Sequence, residues 1–111
     1  MIYSAFDIVV VPFPFTDRRT HKRRPAVVLS KNKDFNEKGG HYVLAMITSR
    51  KNPDWPLDIS ITDMNKAGLT AASKVRMKLF TLDGRLIVKK VGALASKDQK
   101  AVSKNLRNLL V

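Results

Sequence analysis

The chain has 111 residues, with 21 Lys+Arg against 9 Asp+Glu and a formal charge of +12. That length predicts a single domain over 1–111, and that charge predicts a polyanionic partner, nucleic acid first. A hydrophobic fraction of 44 % argues against intrinsic disorder, and the absence of cysteine excludes a disulfide scaffold, a Cys-based zinc site and a thiol nucleophile. Cysteine absence also fits a reducing, cytoplasmic setting.

The first elements read as strands. Residues 7–11 (DIVVV) are β-branched after the first position, the composition of a strand buried on both faces. Pro12 and Pro14 end its ladder, since proline cannot donate to one. The apolar run 8–15 is about half the length that spans a bilayer and lacks a basic flank, so neither a membrane span nor a signal peptide is expected. Residues 16–24 (TDRRTHKRR) are polar and cationic without apolar period, which predicts a loop. A second buried strand follows over 25–29, started by Pro25, and 31–38 predicts a short helix broken at Gly39 and Gly40.

Residues 41–47 predict a third apolar strand ending at Thr48 and Ser49, and 50–56 a polar loop. Residues 57–61 and 75–79 alternate in polarity, the pattern of strands with one wet face, and 86–91 predict a further short strand. The period then changes. Ser96 and Gln99 have capping-box spacing, and Val102, Leu106, Leu109 and Leu110 form one helical stripe. Five or six short strands with one C-terminal helix predict a mainly β fold, a small half-open β-barrel.

Three features are candidates for chemistry. Arg18, Arg19, Lys22, Arg23 and Arg24 place five cations within seven residues, either a solvated loop or a phosphate grip. Arg24 is the best anchored, because it abuts the proline-started strand. In the alternating strand, Lys74, Arg76 and Lys78 share the face opposite Val75, Met77 and Leu79. Same-face residues stand about 6.8 Å apart, so the cations either track a phosphate backbone or form a wet, aggregation-resistant edge. Thr48 and Ser49 either complete a turn or donate hydroxyl hydrogen bonds to a phosphate. Trp55 stacks on a base, packs its own loop or sits in an interface, and the last two are the commoner uses.

What is missing matters as much. One glutamate, Glu37, and eight scattered aspartates do not make a two-metal nuclease. His21 and His41 show no ligand spacing, and no glycine-rich phosphate loop occurs. No metal or other cofactor is expected.

The segments 6–17 (FDIVVVPFPFTD), 24–30 (RPAVVLS) and 47–49 (ITS), followed by 73–77 (SKVRM), 81–83 (TLD) and 90–94 (KVGAL), resemble the MazF/PemK (Kid-like) toxins in order along nearly the whole chain. The resemblance implies an SH3-like barrel that forms a homodimer. It implies a metal-independent endoribonuclease for single-stranded RNA, blocked by a cognate antitoxin protein. It places Arg24, Thr48 and Arg76 as catalytic residues. Around them, Ser49, Thr16, Asp17, Arg23, His21, Lys74 and Lys78 are expected to bind substrate.

Two positions depart from the family pattern. Lys78 stands where some members carry an aspartate, and Phe6 stands where a glycine is usual. A guanidinium is a poor base, because it holds its proton at neutral pH, yet the resemblance puts Arg24 in that role. Two other readings stay open: a catalytically silent nucleic-acid-binding barrel, and a toxin of the same fold aimed at a protein such as a topoisomerase.

Overall fold

The computed structural model describes residues 2–12 and 22–110. Thr16, Asp17 and His21, with Arg18 and Arg19, lie outside the described residues. Six strands form one antiparallel sheet in the order β4-β5-β3-β2-β1-β6, curled into a half-barrel. They are β1 (Asp7–Pro12), β2 (Arg23–Val28), β3 (His41–Ser49), β4 (Ile59–Ser60), β5 (Ser73–Asp83) and β6 (Lys89–Ala93). Two helices complete the element order, α1 (Met64–Ala67) and α2 (Ser96–Leu110). The SH3-like, mainly β expectation agrees with this architecture.

Both faces of the sheet are covered, and period-2 alternation assigns each residue to one of them. Ile8, Val27, Ala45, Ile47 and Val75 turn toward α2 and bury with Val102 and Leu94. Val9, Val11, Ala26, Val28, Leu44, Phe80 and Leu82 turn the other way and pack with Tyr3, Tyr42 and Ile87. The all-apolar runs in β1, β2 and β3 are therefore explained by two cores rather than one.

Several boundaries differ from the sequence expectation. Strand β2 begins at Arg23, because Arg23 and Arg24 pair with Pro12 and Val11 and so extend the ladder through cations. The 57–61 strand shrinks to Ile59–Ser60, since Leu57 takes a φ of 70° that no strand residue adopts. Strand β5 runs well past its alternating centre to Asp83, and β6 starts only at Lys89. The 31–38 helix is a π-helical turn at Asp34–Lys38.

The capping box at α2 does not form. Gln99 turns its amide to the Leu94 carbonyl (2.9 Å), and the buried Asp98 carboxylate takes the backbone N–H groups of Thr62 (3.0 Å) and Asp63 (3.2 Å). Helix α1, absent from the sequence reading, depends on two glycines. Gly68 ends it at φ 73°, and a Cβ there would meet the Val91 carbonyl oxygen at 2.0 Å; one on Gly92 would meet the Ala67 carbonyl carbon at 2.4 Å. Backbone lies directly on backbone at this contact, which no side chain could enter.

Candidate active site

Beyond Met46, the face carrying the Tyr42 core changes character from apolar to polar. Strand β3 pairs with β5 as Met46↔Arg76 and Thr48↔Lys74, after an irregularity that leaves Met77 and Lys78 unpaired with β3. Because two residues are extra, alternation survives: Val75 and Leu79 still face α2, and Lys74 and Arg76 face away from it. On the other side, Ala26 pairs with Met46. Two residues further along the antiparallel strands, Arg24 and Thr48 fall on this same face. Arg24, Thr48 and Arg76 thus come from the consecutive strands β2, β3 and β5.

The face is not the wet edge that stood as one of the two alternatives for this cation row. Lys74 is only 2 % exposed and Arg76 only 7 %. The 50–58 loop folds over them and supplies their acceptors. Lys74 Nζ donates to the Asn52 carbonyl (2.6 Å) and to Asp54 Oδ1 (2.7 Å), with Asp58 Oδ2 at 3.5 Å. Arg76 grips Asp58 through Nε (3.3 Å) and Nη2 (2.9 Å), and Nη2 also donates to the Pro53 carbonyl (2.7 Å). A buried cation needs such partners, and the loop's two aspartates and free carbonyls are the signal that alternation alone misses.

Asp58 is correspondingly acidic. Burial works to raise its carboxyl pKa, but the hydrogen bonds from Arg76 and from the Trp55 backbone N–H, with the charges of Arg76 and Lys74, bring it below the ordinary 3.8. The Trp55 indole lies over this pair, with the Arg76 guanidinium carbon 4.6 Å and Lys78 Nζ 5.9 Å from its ring centre.

Thr48 is buried, and its Oγ1 accepts from Asn52 Nδ2 at 2.6 Å. That bond occupies an acceptor position of the hydroxyl and leaves its O–H to donate elsewhere. Ser49 is exposed and its Oγ accepts from the Lys51 N–H at 3.2 Å, a turn-completing role. Arg24 is half-buried and Arg23 is exposed beside it. Of the sequence-predicted residues, Arg24, Thr48, Arg76, Lys74 and Lys78 share this region. Asn52, Asp54 and Asp58, which hold Thr48, Lys74 and Arg76, were missed.

Among the described residues no cluster of three His, Cys, Asp or Glu side chains occurs. The carboxylates are engaged elsewhere: Asp7 with Lys90, Asp34 with Lys38, Asp83 with Arg85, and Asp63 and Asp98 with backbone amides. A cavity of about 810 Å³ lies at the far end of the sheet, lined by Tyr3, Gly40, His41, Tyr42, Asp83 and Arg85, away from the arginine–threonine cluster. Among the described residues no helix is long and apolar enough to cross a membrane.

The curled, SH3-like antiparallel half-barrel with its C-terminal helix is the class of small β-barrel to which this chain belongs. The model of the PemK-like, MazF-like toxins of type II toxin–antitoxin systems matches residues 4–110, and the chain is a member of that family. No curated protein sequence matches it.

Solved structures share the fold at low identity. MazF in a MazE–MazF complex from Deinococcus radiodurans superposes with a TM-score of 0.77 at 21 % identity, covering 99 % of this chain and 97 % of that one. An endoribonuclease in complex with its cognate antitoxin from a mycobacterial species gives 0.74 at 12 % identity, covering 97 % and 92 %. The Mycobacterium tuberculosis toxin MazF-mt6 gives 0.72 at 16 % identity, covering 92 % and 93 %.

Proposed function

We propose that this toxin is a metal-independent endoribonuclease that cuts single-stranded RNA, acts as a homodimer in the cytoplasm and is silenced by a cognate antitoxin. The observation that carries the reading is that Arg24, Thr48 and Arg76 lie on the same face of three neighbouring strands.

RNA brings its own nucleophile. The 2′-oxygen attacks the adjacent phosphorus, the bond from phosphorus to the 5′-oxygen breaks, and the proton of the 2′-hydroxyl ends on that leaving oxygen. The protein must then position the phosphate and stabilise the charge that builds on its nonbridging oxygens. Arg24 contributes one guanidinium. Arg76 contributes another, held in place by the bonds of its Nε and Nη2 to Asp58 and the Pro53 carbonyl. Thr48 donates its O–H to a nonbridging oxygen, its geometry fixed by Asn52. Arg23, Ser49 and Lys78 flank the substrate, Thr16, Asp17 and His21 are assigned to substrate binding by the resemblance alone, and Lys74 acts from beneath by holding the 50–58 loop in place.

The test is incubation of purified protein with a mixed-sequence single-stranded RNA in EDTA, followed by analysis of the ends. Cutting that leaves a 2′,3′-cyclic or 3′-phosphate and a 5′-hydroxyl is expected. It should be lost in Arg24→Ala. Cutting that requires a divalent ion overturns the reading. RNA binding without any cutting, as Lys78 in place of an acid would favour, selects the silent barrel instead.

A further inference from the structure

Trp55 is the only tryptophan in the chain and stands 45 % exposed on the loop above the arginine–threonine cluster. An exposed indole usually has its own loop to pack. This loop is held without it. Its bonds run from Lys74 to the Asn52 carbonyl and Asp54, and from Arg76 to the Pro53 carbonyl and Asp58, and they go to carbonyl and carboxylate oxygens. The Trp55 backbone N–H closes the set by donating to Asp58 Oδ2 at 2.9 Å.

The ring is therefore carried by the clamp rather than forming it. One side rests on the Arg76 guanidinium, which is itself buried and bidentately fixed. Such a support sets the height and tilt of the indole before any ligand arrives, and a tryptophan has only two side-chain torsions left to lose. Lys78 Nζ lies 5.9 Å from the ring centre, and the same loop carries the exposed cations Arg50 and Lys51. Aromatic faces interleaved with cations are the chemistry that takes unpaired bases and their phosphates.

We propose that Trp55 is a preformed stacking platform for one unpaired nucleobase next to the scissile phosphate, with Arg76 and Asp58 as its positioning residues. This rests on the RNA-cleaving reading and assigns that site a base-selecting surface. A base on the exposed indole is held in register with a phosphate at Arg76, so identity at one position beside the cut is read by stacking strength.

Because Trp55 is the sole tryptophan, its emission reports the event directly. Wild-type protein is titrated with a fully 2′-O-methylated single-stranded oligonucleotide, which cannot be cut, and with an abasic oligonucleotide of the same length. Saturable quenching by the first and none by the second is expected. Trp55→Ala should weaken binding of the first about 5- to 150-fold, the range for losing one stacked base, and Trp55→Phe should recover much of it. The same variants, with circular dichroism confirming their fold, are then given cleavable RNA, where Trp55→Ala should flatten the preference at one base beside the cut.

Equal quenching by the abasic strand, or unchanged affinity and preference in Trp55→Ala, overturns the platform. So does an emission change that depends on protein concentration alone, which would mark a face for a second copy. Cutting without base-dependent quenching leaves the RNA-cleaving reading standing and removes the platform. Base-dependent quenching in a protein that cuts nothing does the reverse.

Discussion

Arg76 and Asp58 face each other across the gap between β5 and the 50–58 loop, joined by Nη2 to Oδ2 at 2.9 Å and Nε to Oδ1 at 3.3 Å, with both side chains almost fully out of solvent. The pair unites three jobs: it closes the loop over Lys74, backs the Trp55 ring and fixes the direction of the remaining guanidinium nitrogen.

Removing the acid should therefore be costly. Asp58→Asn leaves Arg76 and Lys74 buried with one fewer counter-charge, a situation that typically destabilises by about 3 kcal/mol or more. Urea denaturation of the two proteins reads this directly. A loss below about 1 kcal/mol, the value of an exposed pair, would show that the loop opens at little cost and that the clamp is weak.

The same carboxylate makes stability depend on acid. Its pKa in the folded protein lies below the ordinary 3.8, so the unfolded chain binds the proton more readily. The sign follows: the contribution is fully present well above 3.8 and disappears as pH falls through the lower folded value. Melting temperatures measured from pH 6 down to pH 3 should converge for wild type and Asp58→Asn. Asp83 is also pushed down, to about 2, by its hydrogen bonds from Arg85, but that pair is exposed, and Asp83→Asn should change the melting temperature little. A gap between wild type and the Asp58→Asn variant that stays constant over this range would exclude Asp58 as the titrating group.

The strands were readable because their signal is local. Runs such as 7–11 and 41–47 carry enough β-branched and apolar residues to specify burial on both faces. Lys74 and Arg76 were placed on one face correctly, but of the two alternatives left open for that row, a phosphate track or a wet edge, neither foresaw their burial. Whether a cation row is wet depends on what the chain does twenty residues earlier, where Asn52, Pro53, Asp54 and Asp58 return as acceptors. Helix α1 escaped notice for a related reason: its four residues have no period of their own, and Gly68 and Gly92 make room for it only in three dimensions. Arg24, Thr48 and Arg76 each stood out singly in the sequence, but only the resemblance joined them, since 24, 48 and 76 share no spacing.

Thr48 offers a test that separates donor from acceptor. Its Oγ1 already accepts from Asn52 at 2.6 Å, so its remaining value lies in the O–H it donates. Thr48→Ser keeps that donor and should retain most RNA cleavage. Thr48→Val is similar in shape, lacks it, and should lose about 10²- to 10³-fold in kcat, the usual effect of one lost transition-state donor. Equal activity in the two variants would assign Thr48 a packing role only.

Phe6 tests how backbone strain trades against packing. It sits at φ 72°, the left-handed region, where the resembling family usually carries glycine. The position is held from both sides, with its N–H on the Val28 carbonyl (2.6 Å) and its carbonyl on the Leu94 N–H (2.9 Å), so the backbone cannot relax. A side chain there costs about 1–2 kcal/mol. The ring recovers part of that by packing, half-buried, against the core under α2, an effect of about 1 kcal/mol for half the burial of a large apolar side chain. Phe6→Ala keeps the strain and discards the packing, whereas Phe6→Gly discards both. The glycine variant should therefore be the more stable of the two by roughly 1 kcal/mol, reversing the order that alanine and glycine show in helices and strands. Denaturation midpoints of the two variants decide it: an alanine variant at least as stable as the glycine one would mean that the left-handed backbone at residue 6 carries no appreciable strain.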